Sequence, residues 1–307
     1  MKQSRFRFLN NYYEKGVGLL KKVLLFFTVL FLSACTEEVT DQPKKEQQTD
    51  DNNVSVSQQL KDNLQAIDVI QEALAKRQKV ESLQGHMLLE DYLEIDFASG
   101  MSTMLLSSTV DMQATNTPYN TLYLMNTRQE LDGEISDDAT YVYLNEDEGQ
   151  IYNLETNKWQ PLPKENIKNF HNIAREDLDV TRHLQEMLPH IKQVDLKENG
   201  DYFTIIFDVA NKMDEAYLQN ESPITQGIWK YIDQSNINMQ SINYTEALYE
   251  MKINKNTFDV ESLNIFVKIE AMTVNGEEVK HSASNQSQFS SFNELQQIDL
   301  PEDAWQQ

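Results

Sequence analysis

The sequence is poor in the residues that carry chemistry. Among 307 residues there is one cysteine and there are five histidines. A single cysteine excludes an intramolecular disulfide and a cysteine-rich metal site, so the fold must be stabilised by its core. The histidines (His86, His171, His183, His190 and His281) form no HExxH, and the chain has no GxSxG, Walker A or GxGxxG motif. Only His183 and His190 are spaced for one helix face, and Pro189 lies between them; a solvated or half-buried helix face accounts for both. No catalytic residue, metal set or cofactor site is expected. Bases are also scarce, 26 against 49 acids, for a net charge of −23. Six bases and one acid fall in residues 1–34, leaving 20 bases and 48 acids, or −28, from Cys35 onward. Such a surface repels phosphate, which argues against nucleic-acid binding and against adsorption to anionic lipid by charge.

Long apolar runs are missing too. The longest covers residues 23–32, ten residues, against the ~20 that a membrane-spanning helix needs. A basic stretch precedes it and the small residues Ser33 and Ala34 follow, the layout of a secretory signal. Leu32-Ser33-Ala34-Cys35 matches the bacterial lipobox. The apolar run would hold the site at the membrane surface, the small residues would admit the signal peptidase, and the Cys35 thiol would take diacylglycerol as a thioether. An ordinary signal with an incidental cysteine is the alternative. The expectation is a signal peptide over 1–34, a lipid (diacylglycerol, palmitate-type) anchor at Cys35, and display on the extracytoplasmic face of the cell membrane.

Residues 36–56 lack periodicity and large apolar side chains other than three valines, and read as a disordered tether from Cys35 to residue 56. The folded body is then 57–307. Leu60, Leu64, Ile67, Ile70 and Leu74 predict an amphipathic helix over 57–77. Alternation follows in 86–97 (Met87, Leu89, Leu93, Ile95, Phe97 on one face) and in 104–112 (Met104, Leu106, Val110, Met112). Further strands are predicted in 121–131, 139–144 and 150–154, with Trp159 ending the meander. Residues 164–193 predict a helix with Leu184 and Met187 on its apolar side, kinked or ended near Leu188 by Pro189. Alternation resumes in 203–209 (Phe203, Phe207). A helical patch is read in 212–233, then strands in 243–253, 263–271, 277–284 and 286–292, with turns at Asp132-Gly133 and Asn275-Gly276. Nine or ten strands with one apolar face each imply an α+β fold. Its sheet is a single strongly curved antiparallel one, a half-barrel wrapped around a few helices.

Two acidic runs, 132–138 and 145–149, do not fit an EF-hand loop and read as solvated hairpin tips. Methionines at 87, 101, 104, 112 and 125 suit either an ordinary core or an adaptable apolar cavity.

Four features in order carry a family resemblance: the lipobox, tether and helix; residues 139–159 (ATYVYLNEDEGQIYNLETNKW); residues 249–260 (YEMKINKNTFDV); and the ending 298–304 (IDLPEDA). The chain resembles uncharacterised Gram-positive lipoproteins that are similar to the LolA/LppX-like half-barrel group. The resemblance implies a half-open sheet with helices in its concavity; a non-enzymatic role is expected from the missing nucleophile, metal set and cofactor loop. The resemblance also implies a lipid or lipidated protein held between sheet and helices. Met87, Leu89, Met104, Leu106, Met112, Met125, Leu184, Met187, Phe203 and Phe207 are the candidate lining. The competing reading is an envelope adaptor with a solid core and a protein partner.

Overall fold

The computed structural model describes residues 65–298, apart from position 118, position 221 and the segments 154–157, 164–166, 168–179 and 223–236. The signal, Cys35, the tether, His171 and parts of all three expected helical stretches (57–77, 164–193 and 212–233) therefore lie outside the described residues.

The chain opens with helix α1 (Ala66–Arg77). The Asp68 carboxylate accepts from the Gln65 N–H at 2.9 Å, and Lys76 and Arg77 fall in the last turn, opposite the negative end of the helix dipole. Its buried positions are Val69, Ile70 and Ala73, with Ile67 only partly covered. The buried face thus keeps Ile70 of the expected stripe and adds Val69 and Ala73 beside it.

Eleven strands follow among the described residues: β1 (Ser82–Phe97), β2 (Gly100–Asn116), β3 (Tyr119–Leu131), β4 (Glu134–Asn145), β5 (Gly149–Asn153), β6 (Lys158–Pro161), β7 (Asp195–Asn199), β8 (Tyr202–Asp208), β9 (Ile237–Asn254), β10 (Val260–Thr273) and β11 (Glu278–Ser290). They form one antiparallel sheet in the order β6-β5-β4-β3-β2-β1-β11-β10-β9-β8-β7. Each half is a meander in chain order, and β1 paired with β11 joins the halves at the centre. Between β6 and β7 lies α2 (Val180–Met187), which a 3-10 turn (Leu188–Gln193) extends. Pro189 sits at the start of that turn, so the α-helix ends where the missing N–H and the ring would break it. Two short helices, α3 (Val209–Lys212) and α4 (Glu215–Asn220), follow β8. One sheet face and the helices share a single apolar core that includes Ile70, Leu184, Phe207, Tyr249 and Ile265.

The turn signals hold. Asp132 (φ 50°) and Gly133 (φ 86°) make a two-residue loop of the left-handed kind that twisted hairpins favour. At the second hairpin the Gly276 N–H donates to the Thr273 carbonyl at 3.0 Å, and Thr273 N–H to the Glu277 carbonyl at 2.8 Å. With Gly276 at φ 87°, the loop is longer than Asn275-Gly276 alone.

Four strand readings need correction. Strand β6 (Lys158–Pro161) continues the sheet where Trp159 was expected only to end the meander. The stretches 277–284 and 286–292 are parts of one strand, β11, whose inward side turns polar at Asn285 and Ser287 and so hides the alternation. Strand β7 was not expected, because DLKEN carries almost no apolar residue; it is a charged sheet edge, which discourages pairing with another chain. Strand β9 starts at Ile237 rather than 243. Its inward residues run Ile242, Tyr244, then Ala247, Tyr249, and the register with β10 slips between Lys268 and Ile269. The extra residue reverses the phase, so a strict period of two loses the strand there.

Candidate ligand-binding face

The inner face of the sheet is unevenly closed. On the β8–β9 side, side chains of α2 pack into the core that the strands share. Leu184 and Met187 are fully buried, and Phe203 and Phe207 are 3% and 1% exposed. Phe207 stacks parallel to Tyr249, ring centroids 6.4 Å apart, and His190 stacks on Phe207 at 5.9 Å and meets Tyr217 edge-on at 4.7 Å.

A polar network locks this half. The buried Tyr249 hydroxyl donates to Glu186 Oε2 at 2.9 Å, and Arg182 Nε donates to Glu186 Oε1 at 3.2 Å, one turn back on α2. His183 Nδ1 lies 3.8 Å from the same carboxylate, and its ring tilts over Tyr249 at 5.5 Å. Burial pushes the Glu186 carboxyl up, but His183, Tyr249 and Arg182 together outweigh it and hold the group below the ordinary carboxylate range. Burial, then the adjacent Glu186 charge, pushes the Tyr249 hydroxyl well above its ordinary value. This network fastens a helix to a strand. His183 and His190 point to different aromatic partners, and among the described residues no group of three or more His, Cys, Asp or Glu could hold a metal ion.

On the β1–β3 side the closure is looser. Met87 and Met112 are 2% exposed, but Leu89, Met104, Leu106 and Met125 are only half-buried. They share the inward phase of neighbouring strands: Leu89 faces Ser108, Met104 faces Leu93, Leu106 faces Asp91 and Val110 faces Met125. The sequence therefore placed all ten candidate lining residues on the inner face or on the helix that covers it. The structure divides them into six closed in the core and four along a partly open apolar wall.

A polar seam crosses this wall. His281 Nε2 and Asp91 Oδ1 are 2.9 Å apart, with side chains 1% and 5% exposed. Ser287 Oγ donates to Asn285 Oδ1 at 2.6 Å, and Ser108 Oγ to Thr127 Oγ1 at 2.8 Å. The other ring nitrogen of His281, Nδ1, is buried without a hydrogen-bond partner. No hydroxyl or thiol is hydrogen-bonded to it, so the pair has the geometry of an orienting contact without a nucleophile attached. Asp91 could have been found in the sequence: it interrupts Met87, Leu89, Leu93 and Ile95 in their own phase. His281 was lost because β11 alternates so faintly.

Of the two acidic runs, 145–149 is a hairpin tip, but 132–138 is one only at Asp132-Gly133: residues 134–138 are the exposed start of β4, paired with β3. Asn145 Oδ1 accepts from the Asp147 and Glu148 N–H groups at 2.9 and 2.7 Å. Asp132 Oδ1 accepts from Ser102 Oγ at 2.8 Å and from the Thr103 N–H at 2.9 Å. Their oxygens serve the backbone and neighbouring strands. No helix among the described residues is long and apolar enough to cross a membrane.

The chain belongs to a family of unknown function, DUF6612, whose model matches residues 65–307. No curated protein matches it. Among solved structures it is similar to LprF from Mycobacterium bovis, at 12% identity over 77% of this chain and 96% of that one, TM-score 0.38. A lipovitellin structure concerned with lipid–protein interactions is similar at 10% identity over 71% of this chain and 26% of that chain, TM-score 0.36. A putative outer membrane lipoprotein-sorting protein domain from Vibrio parahaemolyticus is similar at 9% identity over 77% and 94%, TM-score 0.17.

Proposed function

We propose that this protein is a lipid-anchored envelope protein whose body holds a lipophilic ligand, a lipid or the acyl part of a lipidated partner, without catalysis. One observation carries the reading: the inner face is sealed over β8 and β9 and left partly open along Leu89, Met104, Leu106 and Met125. An apolar wall with a few polar groups set in it is the usual make-up of a small-molecule site. Each Å² of apolar ligand surface covered there would contribute about 25 cal/mol. The Asp91–His281 pair and the Asn285–Ser287 pair would orient the polar end of the ligand.

The anchor follows from Leu32-Ser33-Ala34-Cys35. Two acyl chains on Cys35 hold a protein to a bilayer where one does not. The 21-residue tether over 36–56 would span roughly 25 Å on average, which keeps the body near its lipid source and free to turn. A second reading, an adaptor with a solid core and a protein partner, draws support from the complete burial of Leu184 and Met187, on the face of α2 turned to the core.

The test has two parts. Cells fed radioactive palmitate should label the wild-type chain and not Cys35→Ser. Protein purified from those cells and extracted with organic solvent should release non-covalently held lipid, while the thioether-linked anchor stays on the chain. Extraction that releases no lipid would favour the adaptor, and an unlabelled chain would remove the anchoring claim.

A further inference from the structure

The outer face of the sheet, opposite the helices, carries a trough of about 830 Å³ that crosses the strands from β4 to β8. Register puts its lining in line. Tyr141 faces Leu124, Leu124 faces Asp111, and Asp111 faces His86. His86 then faces Gln288, Gln288 faces Ser262, and Ser262 faces Lys252. One residue per strand therefore projects along a line perpendicular to the chain direction, at the ~4.8 Å spacing of adjacent strands.

The chemistry of this line is unlike the rest of the surface. The body from Cys35 onward carries −28, yet the trough holds two acids, Asp111 and Glu261, against Lys252 and the imidazole of His86. Asp111 and His86 are already paired at 2.6 Å. The remaining polar lining is mostly amide: Gln84, Gln113, Asn264, Gln286 and Gln288. Gln113, Gln286 and Gln288 spend no side-chain hydrogen bond on another residue. An unspent amide offers a donor and an acceptor side by side, which matches the vicinal hydroxyls of a sugar. At one end Tyr141 is 36% exposed. It is braced edge-on by Tyr152 at 5.8 Å, which Trp159 braces in turn at 5.5 Å. A fixed, exposed aromatic face beside free amides suits the apolar face of a pyranose ring.

We propose that this trough binds a neutral, extended oligosaccharide, one ring for each strand or so, with Tyr141 under one ring and the glutamines on the hydroxyls. A polyanion is disfavoured by the field of the body, and a polycation finds too few unpaired acids in the trough. The site lies on the face opposite the apolar wall, so it stands or falls apart from lipid binding.

The test uses the full lipidated chain in phosphatidylcholine vesicles, with chitohexaose and cellohexaose as probes and saturation-transfer NMR and calorimetry as readouts. Saturable binding of at least one probe is expected. Tyr141→Ala and Gln288→Ala should each weaken it about tenfold, the loss of one good contact. Met239→Ala, exposed and outside the trough, should bind as wild type; circular dichroism of each variant checks folding. No saturable binding of either probe, unaltered binding by both trough variants, or preferential binding of polyphosphate would overturn the assignment.

Discussion

Replacing Glu186 tests whether the helix-covered half of the molecule is held as described. Glu186→Ala removes the acceptor of the Tyr249 hydroxyl, which bonds it at 2.9 Å from a residue 2% exposed. An orphaned buried hydroxyl costs about 1–3 kcal/mol. The lost packing of a side chain 14% exposed adds to this, for about 2–4 kcal/mol in all. Glu186→Gln keeps an oxygen acceptor and loses only the charge, for about 1 kcal/mol. Tyr249→Phe added to Glu186→Ala removes the orphan, so the double variant should recover about 1–2 kcal/mol of the expected sum. The pH dependence has a fixed sign. The folded carboxyl is held below its ordinary value, so its contribution is complete above the unfolded pKa of about 4.3 and is lost as pH falls through the folded value. The gap between wild type and Glu186→Gln should therefore shrink below about pH 4. Urea unfolding at pH 7 and at successively lower pH measures all of this. A Glu186→Ala cost below about 0.5 kcal/mol, as at an ordinary surface site, would refute the reasoning. So would a gap that widens in acid.

Asp91→Ala should destabilise by about 3–5 kcal/mol, the usual cost of stripping one member of a buried pair, while Asp91→Leu combined with His281→Leu should recover much of it. Chemical denaturation of the single and double variants separates the two. Gly149→Ala should lower stability by about 1–3 kcal/mol. The new Cβ would sit 2.9 Å from both Leu144 Cδ2 and Leu162 Cδ1, and the melting temperature reads the change. Leu184→Ala should cost about 2–5 kcal/mol, whereas Leu106→Gln on the open wall should cost much less and reduce the lipid recovered on extraction.

Much of this fold was legible because one-sided alternation records a sheet with one covered face. Met87 through Phe97 and Leu263 through Ala271 kept one phase from end to end. Asp132-Gly133 marked a turn that the backbone makes. What escaped the sequence did so for local reasons. The bulge near Lys268 and Ile269 reversed the phase of β9. Strand β7 has solvent on most of its residues and needs no apolar pattern. Asn285 and Ser287 turned the inward side of β11 polar. The apolar wall was found as a set of residue types, but its division into a sealed half and an open half depends on where α2 lies, which no periodicity encodes. The Asp91–His281 pair joins positions 190 residues apart, and only the central pairing of first and last strands brings them together.

The central claim, an acyl-binding wall along β1–β3, is tested most directly with a photoreactive fatty acid cross-linked to the purified full chain and mapped by peptide mass spectrometry. Labels on peptides carrying Leu89, Met104, Leu106 or Met125, competed by unlabelled fatty acid, are the expected result. Absence of competed labelling, or labelling confined to the outer strand positions, would contradict it.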